Sequence, residues 1–431
     1  MALTVGSASP PWFPGAGCCW NLCRGIRFTI SLGKVGVYLF SVMRPYYTKK
    51  PIGTTPALAS ALRVSEPVLK HAANNLDRHY TPYLIPKGDG KQRAVVIPSL
   101  HLKTIQKRIN REIFSHIEYP HYLYGGIDGK DYVRNAGAHK DRHTIIALDV
   151  KDFYPSITFE RVLGIYQHFL KFSPEVAELL AKLTTFNKRV PQGACTSSHL
   201  ANLVLHDVEY HVVQYCENAG LTYTRLLDDI TVSSPKPLPI QRVSKIIEMI
   251  SKMLKGKGLR LKKPKTRVSS KSNPESLMEV TGLWLNRGAP RVNSATRRAI
   301  RVEVYQCKQA AATSRTSLDY HKKHASASGK VAMLNYLMHA EAGRLRKTLA
   351  DILPLYDVSE MTKTRKIVEM LSRASVADRG KYSFSLSYFK TMQRLNIVAR
   401  SDAALAHSLR RKLLVCQPTK PSSATLYDEP I

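Results

Sequence analysis

Apolar residues recur along most of the chain at one of two spacings. Spacings of three to four positions predict helices, and short alternating or continuous apolar runs predict strands. The predicted helices are 55–62, 66–76, 102–117, 155–170, 175–183, 197–219 and 244–255. The predicted strands are 83–85, 93–97, 144–150, 221–227 and 230–233. After Asn286 strands give way to helices, with one apolar stripe from Leu334 to Leu349 at helical spacing. The pattern thus predicts a mixed centre followed by a helical region.

The two ends of the chain lack this regularity. Residues 1–42 hold Gly, Pro, Trp and Cys in no period, which predicts a weakly ordered extension or sequence upstream of a start at Met43. Their longest apolar run, 35–43, is too short to span a bilayer and lacks the basic start and cleavage site of a signal peptide. From Gln417 the chain is rich in Pro and Ser, which predicts a loose tail. We therefore expect a cytoplasmic protein with no membrane partner.

Composition narrows the class of partner. The chain has 431 residues, and 65 Lys and Arg against 32 Asp and Glu give a formal charge of +33. Contents of 44% hydrophobic and 23% charged residues are ordinary for globular proteins and exclude wholesale disorder, collagen-like sequence and a small disulfide scaffold. The positive surplus predicts a polyanion, and nucleic acid is favoured over an anionic membrane because no basic amphipathic anchor stands out.

The cysteines do not indicate a disulfide framework. There are seven, an odd and scattered set, which indicates a reducing compartment. Cys18, Cys19 and Cys23 cluster, but no histidine lies near them to complete a zinc site.

Three aspartates stand beside predicted strands. Asp228 and Asp229 separate two strand-like runs, which predicts a hairpin tip, and a solvated turn would explain them equally well if they stood alone. Asp149 ends a buried strand, where a carboxylate also loses hydration and needs a partner. If the three converge, they would hold two hard divalent cations through oxygen ligands. Such a pair of cations suits a phosphoryl displacement, in which both the attacking and the leaving oxygen need stabilisation.

Longer stretches around these acids resemble the successive sequence blocks of reverse transcriptases. The palm blocks are matched by ALDVKDFYPSI at 147–157, VPQGACTSSHLANL at 190–203 and YTRLLDDITVSS at 223–234. The two blocks that follow are matched by GLRLKKPKTRV at 258–268 and VTGLWLN at 280–286, and the fingers by GKQRAVVIPSLHLKTIQKRI at 90–109. NAGAH at 135–139 and VTG at 280–282 resemble the NAxxH and VTG elements of bacterial retron reverse transcriptases. The likeness covers about residues 55–290 in collinear order.

The resemblance implies an α+β fold of the right-hand polymerase type. Its parts would be an N-terminal extension at 1–42, fingers at 43–140, a palm at 141–290, a helical thumb at 294–360 and a C-terminal extension at 361–431. The implied activity is RNA-directed DNA synthesis from deoxynucleoside triphosphates with two Mg²⁺ ions. Retron membership further implies a structured non-coding RNA as template and primer, initiation from a guanosine 2′-hydroxyl, a branched RNA–DNA product, and a role in antiphage defence with a separate effector protein.

The resemblance also assigns roles to single residues. Asp149, Asp228 and Asp229 match the catalytic metal ligands, and the Val150 carbonyl is a further ligand. The nucleotide-binding positions are Arg93, Asp152, Phe153, Tyr154, Gln192 and Lys265, with Lys87 as a weaker candidate. Asp152 and Phe153 would hold the triphosphate through backbone N–H groups, and Tyr154 would lie under the sugar and exclude a 2′-hydroxyl. The RNA-recognition candidates are Asn135, His139, Val280, Thr281 and Gly282. Core roles for Tyr154 and His139, and plain surface charge for the Lys and Arg residues, remain alternatives.

The chain departs from the family pattern at three positions. Leu226 replaces an aromatic residue two places before the paired acids, which bears on primer grip and processivity. Cys195 and Ser198 replace prolines common in the Pro-Gln-Gly block. Nearby, residues 251–272 hold nine Lys and Arg and no acid, which fits either a solvated face or a nucleic-acid contact.

Two other functions remain open from the sequence. One is an intron-type reverse transcriptase, for which no maturation or endonuclease segment stands out. The other is an RNA-binding scaffold with a decayed polymerase site, of which Leu226 would be a sign and against which the three intact aspartates argue.

Overall fold

The computed structural model describes residues 44–86, 92–273 and 275–421. The expectations for residues 1–42, for Met43, for Lys87 and its turn, and for the tail beyond Pro421 lie outside these residues. Among the described residues, no helix combines the length and the apolar character that crossing a membrane requires.

Strands and helices alternate up to residue 284, and every later element among the described residues is a helix. The strands are β1 (Tyr46–Tyr47), β2 (Tyr80–Pro86), β3 (Gln92–Pro98), β4 (Ile117–Glu118), β5 (Thr144–Asp149), β6 (Thr222–Leu226), β7 (Asp229–Ser234), β8 (Arg267–Ser270), β9 (Glu279–Val280) and β10 (Leu283–Trp284). The helices up to β6 are α1 (Thr55–Leu62), α2 (Glu66–Asn74), α3 (Leu76–His79), α4 (Leu100–Glu112), α5 (Tyr132–Gly137), α6 (Phe153–Ser156), α7 (Phe159–Gly164), α8 (Pro174–Thr184), α9 (Ser197–Leu203) and α10 (Glu209–Asn218). The later helices are α11 (Ile240–Gly256), α12 (Ser294–Thr313), α13 (Leu318–Tyr336), α14 (Ala342–Asp351), α15 (Val358–Ser372), α16 (Val376–Arg379), α17 (Tyr382–Val398) and α18 (Ala403–Val415).

A four-stranded antiparallel sheet with the order β6-β7-β5-β8 forms the centre. Its middle strand β5 has the sequence TIIALD, in which β-branched and apolar residues suit burial on both faces of a pleated strand. Because side chains alternate along a strand, Ile146 and Leu148 enter one core while Ile145 enters another. The first core lies under the sheet and joins it to the helices before β6 and to α11. The face that carries Ile145 therefore packs against the second core.

Three hydrophobic cores divide the described chain. The first extends from Leu58 to Leu259 and joins the predicted fingers to the predicted palm. The second combines α5, the β9–β10 hairpin and helices α12 to α14. The third lies within α15, α17 and α18 and the turn after α18. The predicted thumb is thus helical, and so is most of the predicted C-terminal extension.

Several predicted helices are shorter than the apolar pattern indicated. The helix predicted at 102–117 ends at Glu112, because residues 114–116 form a 3₁₀ turn and β4 then pairs with β1. The helix predicted at 155–170 is interrupted, because Ile157 and Thr158 make backbone bridges to the loop before the Pro-Gln-Gly turn. Apolar residues stay buried across these breaks, so the helical spacing of apolar residues alone does not reveal where a helix ends.

Two more predicted helices are split in the same way. The helix predicted at 197–219 is divided into α9 and α10, since the consecutive residues Leu203, Val204 and Leu205 are all buried and leave no polar face. The stripe predicted from Leu334 to Leu349 is divided between α13 and α14. At that break Met338 has a positive φ of 52° and is 91% exposed, so its place in the stripe was wrong. The strands predicted at 83–85 and 93–97 are confirmed as the longer hairpin β2–β3.

Candidate active site

The three aspartates that the sequence singled out lie together at one end of the central sheet. Asp149 is the last residue of β5 and pairs in register with Asp229, the first residue of β7. Asp228 occupies the turn between β6 and β7, and its carbonyl oxygen accepts a 3.0 Å hydrogen bond from the N–H of Val150. The strand register therefore brings carboxylates from two separate segments to the same point.

The turn before Asp229 has an unusual backbone. Leu227 has a φ of 58°, in the left-handed region that glycine or asparagine usually occupies and that costs other residues roughly 1 kcal/mol. Its side chain lies over Gly125, where an added Cβ would be only 2.4 Å from the Leu227 Cγ. Asn202 holds that glycine through a 2.7 Å hydrogen bond to its carbonyl. A glycine on the neighbouring segment thus makes room for the turn that presents Asp228.

The carboxylates place strong negative charge in a partly buried site. Burial first, and the Asp149 carboxylate second, raise the pKa of Asp228. Burial and the two neighbouring carboxylates raise the pKa of Asp229 to about 7. The Lys265 ammonium lies 2.6 Å from Asp149 Oδ1, and this hydrogen bond raises the pKa of Lys265. The site therefore demands positive charge, and in this conformation Lys265 supplies it.

The oxygen ligands suit Mg²⁺, although they are not grouped as a finished metal shell. No three His, Cys, Asp or Glu side chains within the described ranges form such a shell. The clustered carboxylates nevertheless offer the hard oxygen ligands that Mg²⁺ prefers, and burial together with the neighbouring carboxylates raises the pKa of Asp228 and of Asp229 although Lys265 pairs with Asp149. In the bridge between Val150 and Leu261, the carbonyls of Asp149 and Arg260 accept the hydrogen bonds, so the bridge does not use the Val150 carbonyl.

A cavity of about 300 Å³ opens beside Asp149 and Asp228. The predicted nucleotide-binding residues all line it, namely Arg93, Asp152, Phe153, Tyr154, Gln192 and Lys265. Burial, with Asp228 as a second cause, raises the pKa of Tyr154 to about 12, so its phenol is neutral at physiological pH. The structure thus assembles around one cavity residues that are widely separated in the chain.

The Pro-Gln-Gly loop is fixed to the β2–β3 hairpin. The Gln192 carbonyl accepts a 2.9 Å hydrogen bond from the N–H of Val96, and Gly193 has a φ of 118°. A Cβ on Gly193 would be 2.6 Å from the Val96 carbonyl oxygen. On the other side of the loop, Asn110 of α4 donates a 2.9 Å hydrogen bond to the Cys195 carbonyl. The loop therefore has little freedom to move away from the cavity.

Comparison with known proteins decides the family. Residues 85–302 match the family model of the reverse transcriptase (RNA-dependent DNA polymerase). The retron Se72 reverse transcriptase of Salmonella heidelberg is 35% identical over 388 residues, which cover 88% of this chain and 100% of that protein. The retron Ec48 reverse transcriptase of Escherichia coli is 31% identical over 392 residues, which cover 87% and 94%. The chain belongs to the retron reverse transcriptases.

The predicted enzyme class and fold are thereby confirmed. This reverse transcriptase is an RNA-directed DNA polymerase with an α+β right-hand fold, and the retron relatives favour that branch over the intron-type alternative. Among solved structures, apo telomerase from Candida tropicalis aligns over 89% of this chain and 66% of its own, with a TM-score of 0.40 and 11% identity. That likeness is too distant to add to the assignment.

A second, smaller cavity also borders Lys265. Its lining includes residues of the VTG element as well as two of the three aspartates. It measures about 150 Å³ and is lined by Asp229, Lys265, Arg267, Thr281 and Gly282, among others. Thr281 and Gly282 form the turn of the β9–β10 hairpin, with φ values of 48° and 81°. The Thr281 hydroxyl donates a 3.1 Å hydrogen bond to the Tyr132 carbonyl of α5. The VTG turn is therefore hydrogen-bonded to α5, the helix in which the NAxxH element begins, and Ala136 and Val280 share the second core.

Three of the five RNA-recognition candidates are buried, which favours structural roles for them over a direct RNA contact. His139 is fully buried, with its ring nitrogens 2.7 Å from the Ser233 and Thr224 hydroxyls. Burial, followed by the charge of Arg142, lowers its pKa to about 3, so the ring is a neutral support of the sheet. Asn135 and Val280 are likewise buried. Of the five, Thr281 and Gly282 alone have side-chain or backbone atoms at the surface.

A buried ion pair that the sequence did not reveal holds the β6–β7 hairpin in place. Arg225 of β6 is fully buried, and its guanidinium contacts both carboxylate oxygens of Glu209, at 2.5 and 2.8 Å. The same guanidinium donates to the Leu227 carbonyl at 3.3 Å, and Tyr223 donates to Glu209 at 2.8 Å. The pair therefore anchors the residue immediately before Asp228 to α10.

Replacing Gly193 by Ala is expected to destabilise the protein by about 2–3 kcal/mol, because a strained φ is combined with a backbone clash. The KM for deoxynucleotides should rise as the loop shifts away from Val96. Urea unfolding and steady-state kinetics measure the two effects. Gly329→Ala is the matched control: this glycine lies inside α13 with open space at its Cβ position, so alanine should stabilise by about 0.5–1 kcal/mol. Equal stability of the two variants would show that Gly193 is not constrained.

Proposed function

We propose that this reverse transcriptase copies a structured RNA into DNA by two-metal phosphoryl transfer at Asp149, Asp228 and Asp229. The observation that supports it most directly is the register between Asp149 and Asp229, with Asp228 in the adjoining turn. Buried carboxylates that repel one another, of which Lys265 pairs with Asp149 alone, are what a site for divalent cations needs.

Each protein group then has a defined task. The three carboxylates and the Val150 carbonyl would hold two Mg²⁺ ions, which when bound stabilise the attacking and leaving oxygens. Lys265 lines the nucleotide cavity as well as contacting Asp149, so its ammonium is placed to turn towards a triphosphate. Arg93 enters the same cavity from the β2–β3 hairpin and would add a second positive charge there.

Tyr154 would select the sugar. Its ring is half-buried, packs against the first core and lines the nucleotide cavity, so it presents a fixed wall. The Phe153 ring lies beside it, with ring centroids 5.9 Å apart. A rigid wall under the ribose position would collide with a 2′-hydroxyl and accept a deoxyribose.

Tyr154→Ala is expected to lower the preference for deoxynucleotides over ribonucleotides by roughly 10- to 100-fold, the effect of removing one well-placed steric contact. The quantity to measure is the ratio of kcat/KM for the two sugars on one primed template. Tyr154→Phe keeps the ring and should keep the ratio. An unchanged ratio in the alanine variant would show that Tyr154 serves only to pack the core.

The retron relatives support a more specific course of synthesis. We infer that a structured non-coding RNA serves as both template and primer, that synthesis starts from a guanosine 2′-hydroxyl, and that the product is a branched RNA–DNA molecule. A role in antiphage defence with a separate effector protein belongs to the same proposal. The formal charge of +33 supports the RNA partner, since many phosphates must be neutralised.

Sequencing the nucleic acid that copurifies with the protein tests this course. A covalent branch between RNA and DNA would support it, and linear DNA primed from a 3′-end would contradict it. RNA without DNA, together with no primer extension in Mg²⁺, would instead indicate an RNA-binding scaffold.

A further inference from the structure

The basic run at 251–272 is divided by the fold into cations with acidic partners and cations without them. Four of its nine Lys and Arg residues pair with acids: Lys252 with Glu248, Lys257 with Asp207, Lys265 with Asp149 and Arg267 with Glu279. Lys262 lines the nucleotide cavity beside Lys265. Of the remainder, Lys255, Arg260 and Lys263 line one separate groove. Three cations of a single run, without acidic partners among the described residues, thus gather at one place.

This groove lies between the C-terminal half of α11 and residues 258–266, and it has a volume of about 980 Å³. Its lining includes no acidic residue within the described part of the chain. The side chains of Lys255, Arg260 and Lys263 are exposed at its edge. Like charges around one groove repel one another, so an anion bound there gains their combined attraction.

The groove adjoins the catalytic site. Residues 260–262 run beside 149–151, with hydrogen bonds of 2.8 Å from the Lys151 N–H to the Arg260 carbonyl and 2.7 Å from the Lys262 N–H to the Asp149 carbonyl. Residues 258–266 therefore contribute to both the nucleotide cavity and the groove. Because consecutive Cα atoms are about 3.8 Å apart, the Cα atoms of Arg260 and Lys262 are less than about 8 Å apart.

We propose that this groove binds a single-stranded segment of RNA. The choice of RNA as the partner rests on the proposed function. The size and the floor favour a nucleotide chain over a free triphosphate or pyrophosphate. The volume is at the upper end of the roughly 300–1,000 Å³ that pockets for one small molecule have. The floor is apolar, and its partly exposed members Ile247 and Leu261, beside the buried Leu259, offer bases an apolar contact that a pyrophosphate would not use.

Two hydroxyl groups favour RNA over DNA. Ser251 and Thr266 line the same groove as the three cations. A hydroxyl beside a phosphate-binding edge is placed to exchange hydrogen bonds with a ribose 2′-hydroxyl, which DNA lacks. In this arrangement the cations bind phosphates, the apolar floor contacts bases, and the two side-chain hydroxyls bind ribose 2′-hydroxyls. Each kind of lining residue then has an RNA group to contact.

The test compares two triple variants of equal charge. Lys255→Gln, Arg260→Gln and Lys263→Gln remove the groove cations. Lys70→Gln, Lys182→Gln and Lys252→Gln remove three lysines that pair with glutamates one helical turn away. The probe is a fluorescent oligoadenylate of about 20 nucleotides, longer than usual single-strand site sizes, in ribo and deoxy forms. Its Kd is measured for the full chain across a range of salt concentrations.

The groove triple is expected to bind the RNA probe roughly 10- to 100-fold more weakly near 0.1 M salt, and its log Kd against log salt should be shallower by about 2. The control triple should match the wild type within about threefold. Wild type should prefer the ribo probe, and Ser251→Ala with Thr266→Val should reduce that preference. Equal losses in both triples, or equal binding of ribo and deoxy probes, would overturn the proposal.

The kcat and KM for deoxynucleotides on a short DNA-primed template separate this proposal from its competitors. They should be unchanged in the groove triple. A raised KM with unchanged RNA affinity would make the groove a nucleotide route and overturn the RNA assignment. The binding assay needs no catalysis, so a wild type that makes no DNA would refute the proposed function while leaving the RNA result decisive for the groove.

Discussion

Asp149→Asn and Asp228→Asn proteins are expected to lose at least about a thousandfold of DNA synthesis while binding RNA as the wild type does. The amide is nearly isosteric with the carboxylate, so the sheet register and the turn should survive. What is lost is the negative charge that would hold the metal ions and, with it, stabilisation of the transition state. The measurements are DNA made per enzyme on a primed template in Mg²⁺ and the RNA Kd at fixed salt.

Asp228→Asn and Asp149→Asn are informative because RNA affinity depends on other parts of the protein. The basic groove and the other Lys and Arg residues are untouched, so the Kd and its salt dependence should change little. Appreciable DNA synthesis by either variant would show that these acids do not belong to the active site. A wild type that makes no DNA while all three proteins bind RNA alike would support the scaffold alternative.

Asp229→Asn is expected to raise the stability of the metal-free protein at neutral pH. The pKa of Asp229 is about 7 in the folded state against an ordinary value of 3.8, so the folded state binds the extra proton between these values. Stability therefore falls as pH rises from about 4 to about 7, and asparagine removes that loss. Thermal unfolding in EDTA should show a gap between variant and wild type that is widest above pH 7 and closes near pH 4. A gap independent of pH would show that carboxylate repulsion is not its cause.

The sequence was sufficient to locate the acids because their positions follow from short-range rules. An apolar strand that ends at Asp149 and a hairpin with Asp228 and Asp229 at its tip are both local patterns. Once these strands are neighbours, an antiparallel register aligned on their apolar faces places Asp149 opposite Asp229. The resemblance to reverse transcriptases then supplied the residues of the nucleotide cavity, which come from distant blocks of the chain.

Other features could not be predicted because they depend on tertiary partners. His139 looked equally suited to the core and to RNA, and the Ser233 and Thr224 hydroxyls that hold it are 94 and 85 positions away. The helix breaks at 157–158 and 204–208 keep Ile157, Val204 and Leu205 buried, so the helical spacing of apolar residues continues through the breaks. A charged Arg225 inside an apolar strand was a visible signal, but its partner Glu209 lies 16 positions earlier on a helix.

Arg225→Met is expected to destabilise this reverse transcriptase by about 3–5 kcal/mol, the cost of leaving a buried charge without its partner. Glu209 would keep a hydrogen bond from Tyr223 and lose both contacts to the guanidinium. Replacing Glu209 as well by Met removes the stranded charge, so the double variant should regain much of the stability. Urea unfolding of the metal-free protein gives these free energies. Lys182→Met, at an exposed pair with Glu178, is the control and should cost under about 1 kcal/mol.

The double variant separates stability from positioning. Its Leu227 carbonyl would still lack the Arg225 donor, and Leu227 holds a strained φ directly before Asp228. We therefore expect kcat to stay at least about tenfold below wild type after stability has recovered, with the KM for deoxynucleotides little changed, because the nucleotide cavity is lined by other residues. If kcat recovers together with stability, the pair serves the fold alone. If Arg225→Met costs no more than Lys182→Met, the ion pair does not anchor the β6–β7 hairpin.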